Sequence, residues 1–404
     1  MKKIISLVIL ILSLSLSVGC SSNDKLKELT KEEKVEDFDY YINTMKDNYC
    51  NFDVFYNKSN IEYLDFYEIL KEEIENSDNN KEFYDIMNYS ISLLNDGHTN
   101  LINPSNVDWY RRVYNSKYQE DILNDEIFTD KNKKWENYLN EDNKLNRVYK
   151  KVNDKVSDYN KDNIETKIID EDIAYMKINS FLEFNKEDTD KIKDLYKTLD
   201  NYNNYIIDIR GNVGGNSLLW MNHIVKPIVN NTYESTTYEL HKEGKITKDY
   251  YSSRGIDLKD IKKFPKKGIL KKVKNIDDYK YYSEYNMKFT NKSIWEGGED
   301  KKGYNGNIYL LVDKNSFSSS EAFAVFCKNS GWATVVGNQN SGGDGVGIDP
   351  IVFSLTNSGL VVRSTAGKGL NKDGSSNLEE GTSLDLYMNS LDDLIEYIKK
   401  EEKL

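Results

Sequence analysis

The sequence predicts an α/β fold, of the α+β kind in which a helical N-terminal subdomain precedes a strand-and-helix core. Three observations carry that expectation. Short β-branched and aromatic runs at 165–169, 173–178, 205–209, 308–312 and 334–336 read as strands. Helical patterns at 186–199, 217–229 and 319–330 separate several of them, and such alternation sets helices against a sheet. Ahead of the alternation, apolar residues between 35 and 94 recur at helical spacing, as in Phe38, Tyr41 and Met45 and again in Phe83, Met87 and Leu94.

Taken in order, the chain begins with Lys2 and Lys3 and an apolar or small run from Ile4 to Val18, followed by Gly19-Cys20. That run is too short for a permanent membrane span and reads as an export signal over residues 1–19. Its Ser17-Val18-Gly19-Cys20 ending resembles a bacterial lipobox, which implies lipidation of Cys20 and anchoring at the extracellular face of the cell membrane. An ordinary secretory signal containing a cysteine is the other reading. The charged stretch that follows makes 20–36 a tether. Residues 37–102 form the helical subdomain, and the Asn-, Asp- and Lys-rich segment 103–162 reads as a connector. The core occupies 163–388, interrupted at 231–303 by a charged, Tyr-rich insertion over one edge. Runs at 352–355 and 360–362, joined by Thr-Asn-Ser-Gly, predict a hairpin. A C-terminal helix at 389–404 closes the chain.

Composition excludes several functions. The net charge of −12 speaks against nucleic acid as a partner. After Cys20 only Cys50 and Cys327 remain, so at most one disulfide is open to the chain, two buried thiols being the alternative. No His, Cys or Asp cluster has ligand spacing, so no metal or organic cofactor is expected.

Four segments are able to carry chemistry. In Asn315-Ser316-Phe317-Ser318-Ser319-Ser320-Glu321, a hydroxyl lies on a strand-to-helix turn, where ligands of open α/β sheets bind. The free N–H groups of the helix start favour an oxyanion forming beside it. Ser318-x-x-Glu321 is equally a capping box. The run from Tyr205 to Asn216 leads a hydrophobic strand into a glycine-rich turn that presents unpaired N–H groups, and its spacing matches neither the dinucleotide fingerprint nor a P-loop. His98 follows an Asp-Gly turn and is one of only three histidines; His223 sits in a helical pattern and His241 in the insertion. An imidazole is the usual base for a serine near neutral pH, although a loop histidine often has no such role. Last, Glu379 and Glu380 lie in a polar loop, where a carboxylate either orients an imidazole or simply faces water.

In this order the segments resemble the S41 peptidases, the family of tail-specific and tricorn-like proteases. The resemblance rests on Asp96-Gly97-His98-Thr99, Asp208 to Gly215, Ser318 to Glu321, Val335-Val336-Gly337 and the Asp-Gly-Ser-Ser-Asn run near the end. It implies Ser318 as nucleophile, His98 as general base, the N–H of Ser319 with that of Gly214 or Gly215 as oxyanion hole, and Glu379 or Glu380 behind the histidine. Tail-specific members use a lysine after the Val-Val-Gly strand, but here residues 337–345 contain none. The nearest lysine downstream, Lys368, falls in a Gly-flanked loop where burial is not expected. Gly97 stands where some relatives have a relaying serine, and Leu384 precedes Asp385 where a proline is usual. No PDZ module is evident. The resemblance thus implies a lipid-anchored serine peptidase acting on peptides or unfolded protein segments. A non-catalytic lipoprotein that keeps the scaffold to bind peptides or envelope components is the alternative, and an esterase of the same serine chemistry is a third.

Overall fold

The computed structural model of the protein describes residues 25–114, 117–140, 163–292 and 303–401. The signal segment and Cys20 lie outside them. Strands are numbered here in chain order. A six-stranded sheet forms the centre: β2 (Ile164–Asp170), β3 (Ile173–Ile178), β4 (Asn204–Asp208), β8 (Asn307–Leu311), β9 (Thr334–Gly337) and β13 (Leu386–Tyr387). They lie in the order β13-β9-β8-β4-β3-β2, parallel except for the antiparallel pairing of β2 with β3.

Alternation along these strands decides what each face meets, because successive side chains point to opposite sides. Ala174, Met176, Ile207 and Leu310 face the helices 186–198 and 319–330, which contribute Ile192, Phe323 and Phe326. Tyr175, Ile206, Tyr309 and Leu311 face the other way, against Leu394 and Ile398 of the C-terminal helix Leu391–Glu401. Both sides of the sheet are covered, which is why its parallel strands read as continuous apolar runs. Trp220 stacks on Phe323 with ring centroids 4.9 Å apart and 13° between planes. Burying an aromatic of this kind contributes roughly 1.5–3 kcal/mol.

The helical subdomain consists of Lys31–Asn48, Phe52–Ser59, Tyr67–Asn76 and Asn80–Ser92. Its core takes in Phe353, Leu355, Leu360 and Val362 from the hairpin of β10 (Ile351–Ser354) and β11 (Val361–Ser364). A two-residue strand, β1 (Asn100–Leu101), pairs with Arg363 and Val362 of β11 and pins the chain just after His98.

Two regions differ from expectation. Residues 107–113, 117–123 and 126–140 of the expected connector are helical, and Trp135 there is buried with its Nε1–H donating to the Ser358 carbonyl at 2.9 Å. Tertiary burial of single aromatics overrode a composition that signals loop. The insertion contributes β5 (Tyr233–His241), β6 (Lys259–Asp260) and β7 (Tyr281–Phe289) to an antiparallel sheet that β12 (Lys368–Leu370), from beyond the insertion, completes in the order β12-β5-β7-β6. It packs β5 near the helix 319–330, with Asn329 Nδ2 donating to Ser235 Oγ at 3.3 Å. Cys50 and Cys327 are both buried free thiols. Among the described residues no helix is long and apolar enough to cross a membrane.

Candidate active site

Ser318 ends the turn that leaves β8 and opens the helix Ser319–Ser330. Its backbone adopts φ 58° and ψ −119°, a conformation that costs a non-glycine residue about 1–3 kcal/mol. Such a strained strand-to-helix turn lifts a hydroxyl clear of the backbone. Neighbouring loops hold it: Ser318 N–H donates to Gly343 O at 3.2 Å, and Phe317 N–H to Asn212 O at 3.2 Å. The Ser318 side chain makes no cap hydrogen bond, so the capping-box reading does not describe it. Its Oγ instead lies 3.0 Å from Nε2 of His98.

The loop carrying His98 is organised by the buried carboxylate of Asp96. Asp96 accepts from the His98 N–H at 2.9 Å, Tyr49 O–H at 2.9 Å, Thr99 Oγ1 at 2.8 Å and Thr365 Oγ1 at 2.8 Å. Burial, then the nearby Asp344 charge, raise its pKa above the ordinary carboxylate range. Gly97 is required by the ring of Phe317, since a Cβ would sit 2.6 Å from Phe317 Cζ. A serine at that position would force the Phe317 ring to shift. The imidazole leans on the same ring, with centroids 4.9 Å apart.

The other ring nitrogen, Nδ1, contacts the carboxylate of Asp344. Asp344 sits at φ 58° in the glycine-rich loop after β9. That loop is tied to the helix of Ser318 on both sides: Gly342 N–H donates to Ser316 O at 2.9 Å, and Gly345 N–H to Asn377 Oδ1 at 2.8 Å. Asn377 Nδ2 in turn donates to Glu321 Oε1 at 2.7 Å, and Thr382 Oγ1 to the same oxygen at 2.6 Å. Burial raises the Glu321 pKa. Glu321 therefore acts as a bracket between the helix and the Asp344 loop.

The profile of Peptidase family S41 matches residues 172–388 of this sequence. The chain belongs to peptidase family S41. Solved structures agree on the fold. A peptidase structure from Parabacteroides merdae is similar at a TM-score of 0.52 and 17% identity, over 93% of this chain and 96% of that one. Mature CPAF complexed with lactacystin is similar at 0.52 and 10% identity, over 92% and 98%. No curated protein sequence matches.

The matched part of this S41 family member excludes His98, which the fold nevertheless brings to Ser318 across 220 residues of sequence. Gly214 N–H donates to Asn212 Oδ1 at 3.0 Å, whereas the N–H groups of Gly215 and Ser319 find no acceptor among the described residues. Glu379 is not against the imidazole; its carboxylate accepts from Asn57 Nδ2 at 2.8 and 2.9 Å. Glu380 lines a separate surface hollow with Asn371 and Lys372. The carboxylate at His98 is Asp344, which sequence reasoning missed. Its one signal in the sequence is position: an aspartate among glycines after Val-Val-Gly.

Lys368 also departs from expectation. It lies in β12, is only 3% exposed, and its Nζ donates to both Asp53 oxygens at 2.8 and 2.9 Å. The flanking glycines mark close packing, not a loose loop: a Cβ on Gly367 would meet the His241 ring at 2.6 Å. His241 itself is buried, its Nε2 2.9 Å from Ser283 Oγ, and burial lowers its pKa to about 3.

The cleft over Ser318 encloses about 120 Å³ and includes His98, Asp344, Gly215, Ser319, Glu239 and Val346 in its walls. A larger cavity of about 980 Å³ lies between the helical subdomain and the insertion, around Lys46, Tyr56, Lys242 and Tyr279. No serine or histidine is among its described wall residues, whereas the smaller cleft holds Ser318 and His98. Among the described residues no group of three or more His, Cys, Asp or Glu is arranged to hold a metal.

Proposed function

We propose that the protein is a serine peptidase, anchored by a lipid on Cys20 at the outer face of the cell membrane, that cleaves peptides or unfolded protein segments through an acyl-enzyme. The observation that carries the catalytic reading is His98 standing between two partners, with Nε2 3.0 Å from Ser318 Oγ and Nδ1 against Asp344. An imidazole whose Nδ1–H donates to a carboxylate has its Nε2 lone pair free to accept the serine proton.

Ser318 Oγ attacks the substrate carbonyl carbon as its proton passes to Nε2, and the Asp344 carboxylate stabilises the resulting imidazolium. The negative charge on the carbonyl oxygen falls to the N–H groups of Ser319, at the helix start, and Gly215. Collapse breaks the C–N bond, and the amine leaves with the proton from Nε2. Water then attacks the ester, His98 takes its proton and returns it to Ser318, and the carboxylic acid departs. Every proton in the cycle is carried by His98, so Lys368, held by Asp53, has no step to perform.

Anchoring is supported by the basic start, the short apolar run and Gly19-Cys20. One experiment tests the chemistry: a fluorophosphonate probe applied to the pure protein, then peptide mapping. Label on Ser318 is expected. Absence of label from folded protein would turn the reading to a peptide-binding member of the family that has lost catalysis.

A further inference from the structure

The wall of the Ser318 cleft contains a carboxyl group that the catalytic cycle does not use. Glu239, on β5, is buried at 1% exposure yet lines the cleft together with Ser318, Ala322 and Gly215. Oε2 accepts from Tyr251 O–H at 2.6 Å and Tyr285 O–H at 2.9 Å, and Ser283 is a further hydrogen-bonding neighbour of the carboxyl. The whole carboxyl packs on Gly347 of the cleft loop, where a Cβ would stand 2.5 Å from Oε1 and 2.9 Å from Oε2.

Among the described residues no lysine or arginine pairs with this carboxyl. The nearest ring, His241, has Nε2 3.8 Å from Oε2 and is held neutral by burial. The other two carboxylates of the cleft are engaged: Asp344 with His98, and Asp349 with Arg254 Nη1 at 3.1 Å. Glu239, Asp344 and Asp349 line the cleft with no lysine or arginine among its wall residues. A buried carboxyl is normally paired, and one left open toward a substrate cleft awaits a partner from outside the chain.

We propose that Glu239 determines specificity, selecting substrates with a lysine or arginine side chain on the residue that supplies the attacked carbonyl. This rests on the serine-peptidase reading above. The oxyanion donors Ser319 and Gly215 share the cleft with Glu239, so the side chain adjoining the bound carbonyl is the one that reaches it. An ammonium or guanidinium entering the cleft meets the Glu239 carboxyl in its wall, and the carboxyl proton leaves to solvent. In the empty cleft, burial first of all keeps Glu239 protonated, with its pKa pushed up to about 8 and the Asp344 charge adding to the effect. Tyr251 and Tyr285 stabilise the ionised form once a cation compensates it. Ser283, which bridges His241 and Tyr285, brings no charge to this group.

The test is a panel of short peptidyl aminocoumarin substrates that differ only in the residue before the cleaved bond: lysine, arginine, leucine or aspartate. The full protein should favour the basic pair. Glu239→Gln should lower kcat/KM for them by roughly 30-fold or more, mainly through KM, while leucine changes little; that is the loss expected when one partner of a desolvated charge pair is removed. A short alkylguanidine should compete in the unaltered protein, which keeps the idea testable if the variant folds poorly. Fluorophosphonate labelling ignores the side chain. Labelled protein with no preference for basic residues, or a preference that survives Glu239→Gln, overturns this inference alone. Protein that neither labels nor cleaves overturns both it and the reading on which it rests.

Discussion

Ser318 is held at φ 58° by backbone hydrogen bonds to neighbouring loops, and its side chain caps nothing and reaches His98 instead. Ser318→Ala should abolish probe labelling with little change in melting temperature. Ser318→Gly should be equally inactive but more stable than the alanine variant by about 1 kcal/mol, because glycine relaxes at φ 58°. A glycine variant less stable than the alanine one would remove strain as the explanation. At the partner residues, His98→Ala should cut turnover by roughly 10⁴-fold, the usual cost of losing a triad member. Asp344→Asn should cost at least about 10²-fold, whereas Glu379→Gln and Glu380→Gln should stay near the parent rate, because neither glutamate is placed against the ring. Comparing steady-state rates of the four variants checks the assignment. Lys368→Met should act on stability and not on chemistry, leaving the Asp53 carboxylate without its cation at a cost of up to about 3–5 kcal/mol. Denaturant titration separates that loss from the rate per folded molecule.

Two sets of contacts between loops hold Asp344 and His98 in place. The loop bearing Asp344 is fastened to the helix of Ser318 through Gly345, Asn377 and Glu321. Replacing Asn377 by alanine strips the Gly345 N–H and the Glu321 carboxyl of a buried partner each, at about 1–3 kcal/mol per group. Turnover should fall with it, since Asp344 loses its fixed position, and Asn377→Asp should not rescue it beside the buried Glu321. An unchanged rate in Asn377→Ala, measured where the protein is fully folded, would show that the loop keeps its shape unaided. On the opposite side, Thr365 just beyond β11 donates to Asp96 and so couples the hairpin to the His98 loop. Ser318, His98 and Asp344 are thus set by contacts between loops, each loop being anchored on a different element of the fold.

For the molecule as a whole, burial leaves a distinctive pH dependence. Glu239, Asp96, Asp37 and Glu321 all have pKa values raised chiefly by burial. A carboxyl raised on folding contributes its full stability below the unfolded-state value and loses it as pH rises through the folded value. For Glu239 the window runs from the ordinary 4.5 to about 8. Melting temperature should therefore fall between about pH 5 and pH 8.5 more in the parent protein than in Glu239→Gln. Equal falls in the two proteins would place the group's titration elsewhere. At the cellular scale, Cys20→Ala should release the protein from the membrane fraction or leave it unprocessed, read by fractionation and mobility. A processed, membrane-bound variant would discard the lipid anchor.

The sequence by itself determined the order of strands and helices in the core, because apolar runs and helical spacing are local properties and both faces of the sheet demand them. It also made Ser318 and His98 legible through the order of motifs that resembles the S41 peptidases, since the strand-to-helix turn and the loop histidine taken singly left a capping serine and an idle imidazole equally open. The helices after Asn103 escaped it, since polar composition hid the few buried aromatics that hold them. Only the tertiary structure decided which carboxylate meets His98: Asp344, 246 residues away, is set there by a loop whose shape depends on Glu321 and Asn377 in two other segments. The same holds for Lys368 and Glu239, whose surroundings are built from strands of the insertion and residues of the helical subdomain. Charge pairing and burial are sums over neighbours in space, and residues this far apart in sequence become neighbours only when the sheets are assembled.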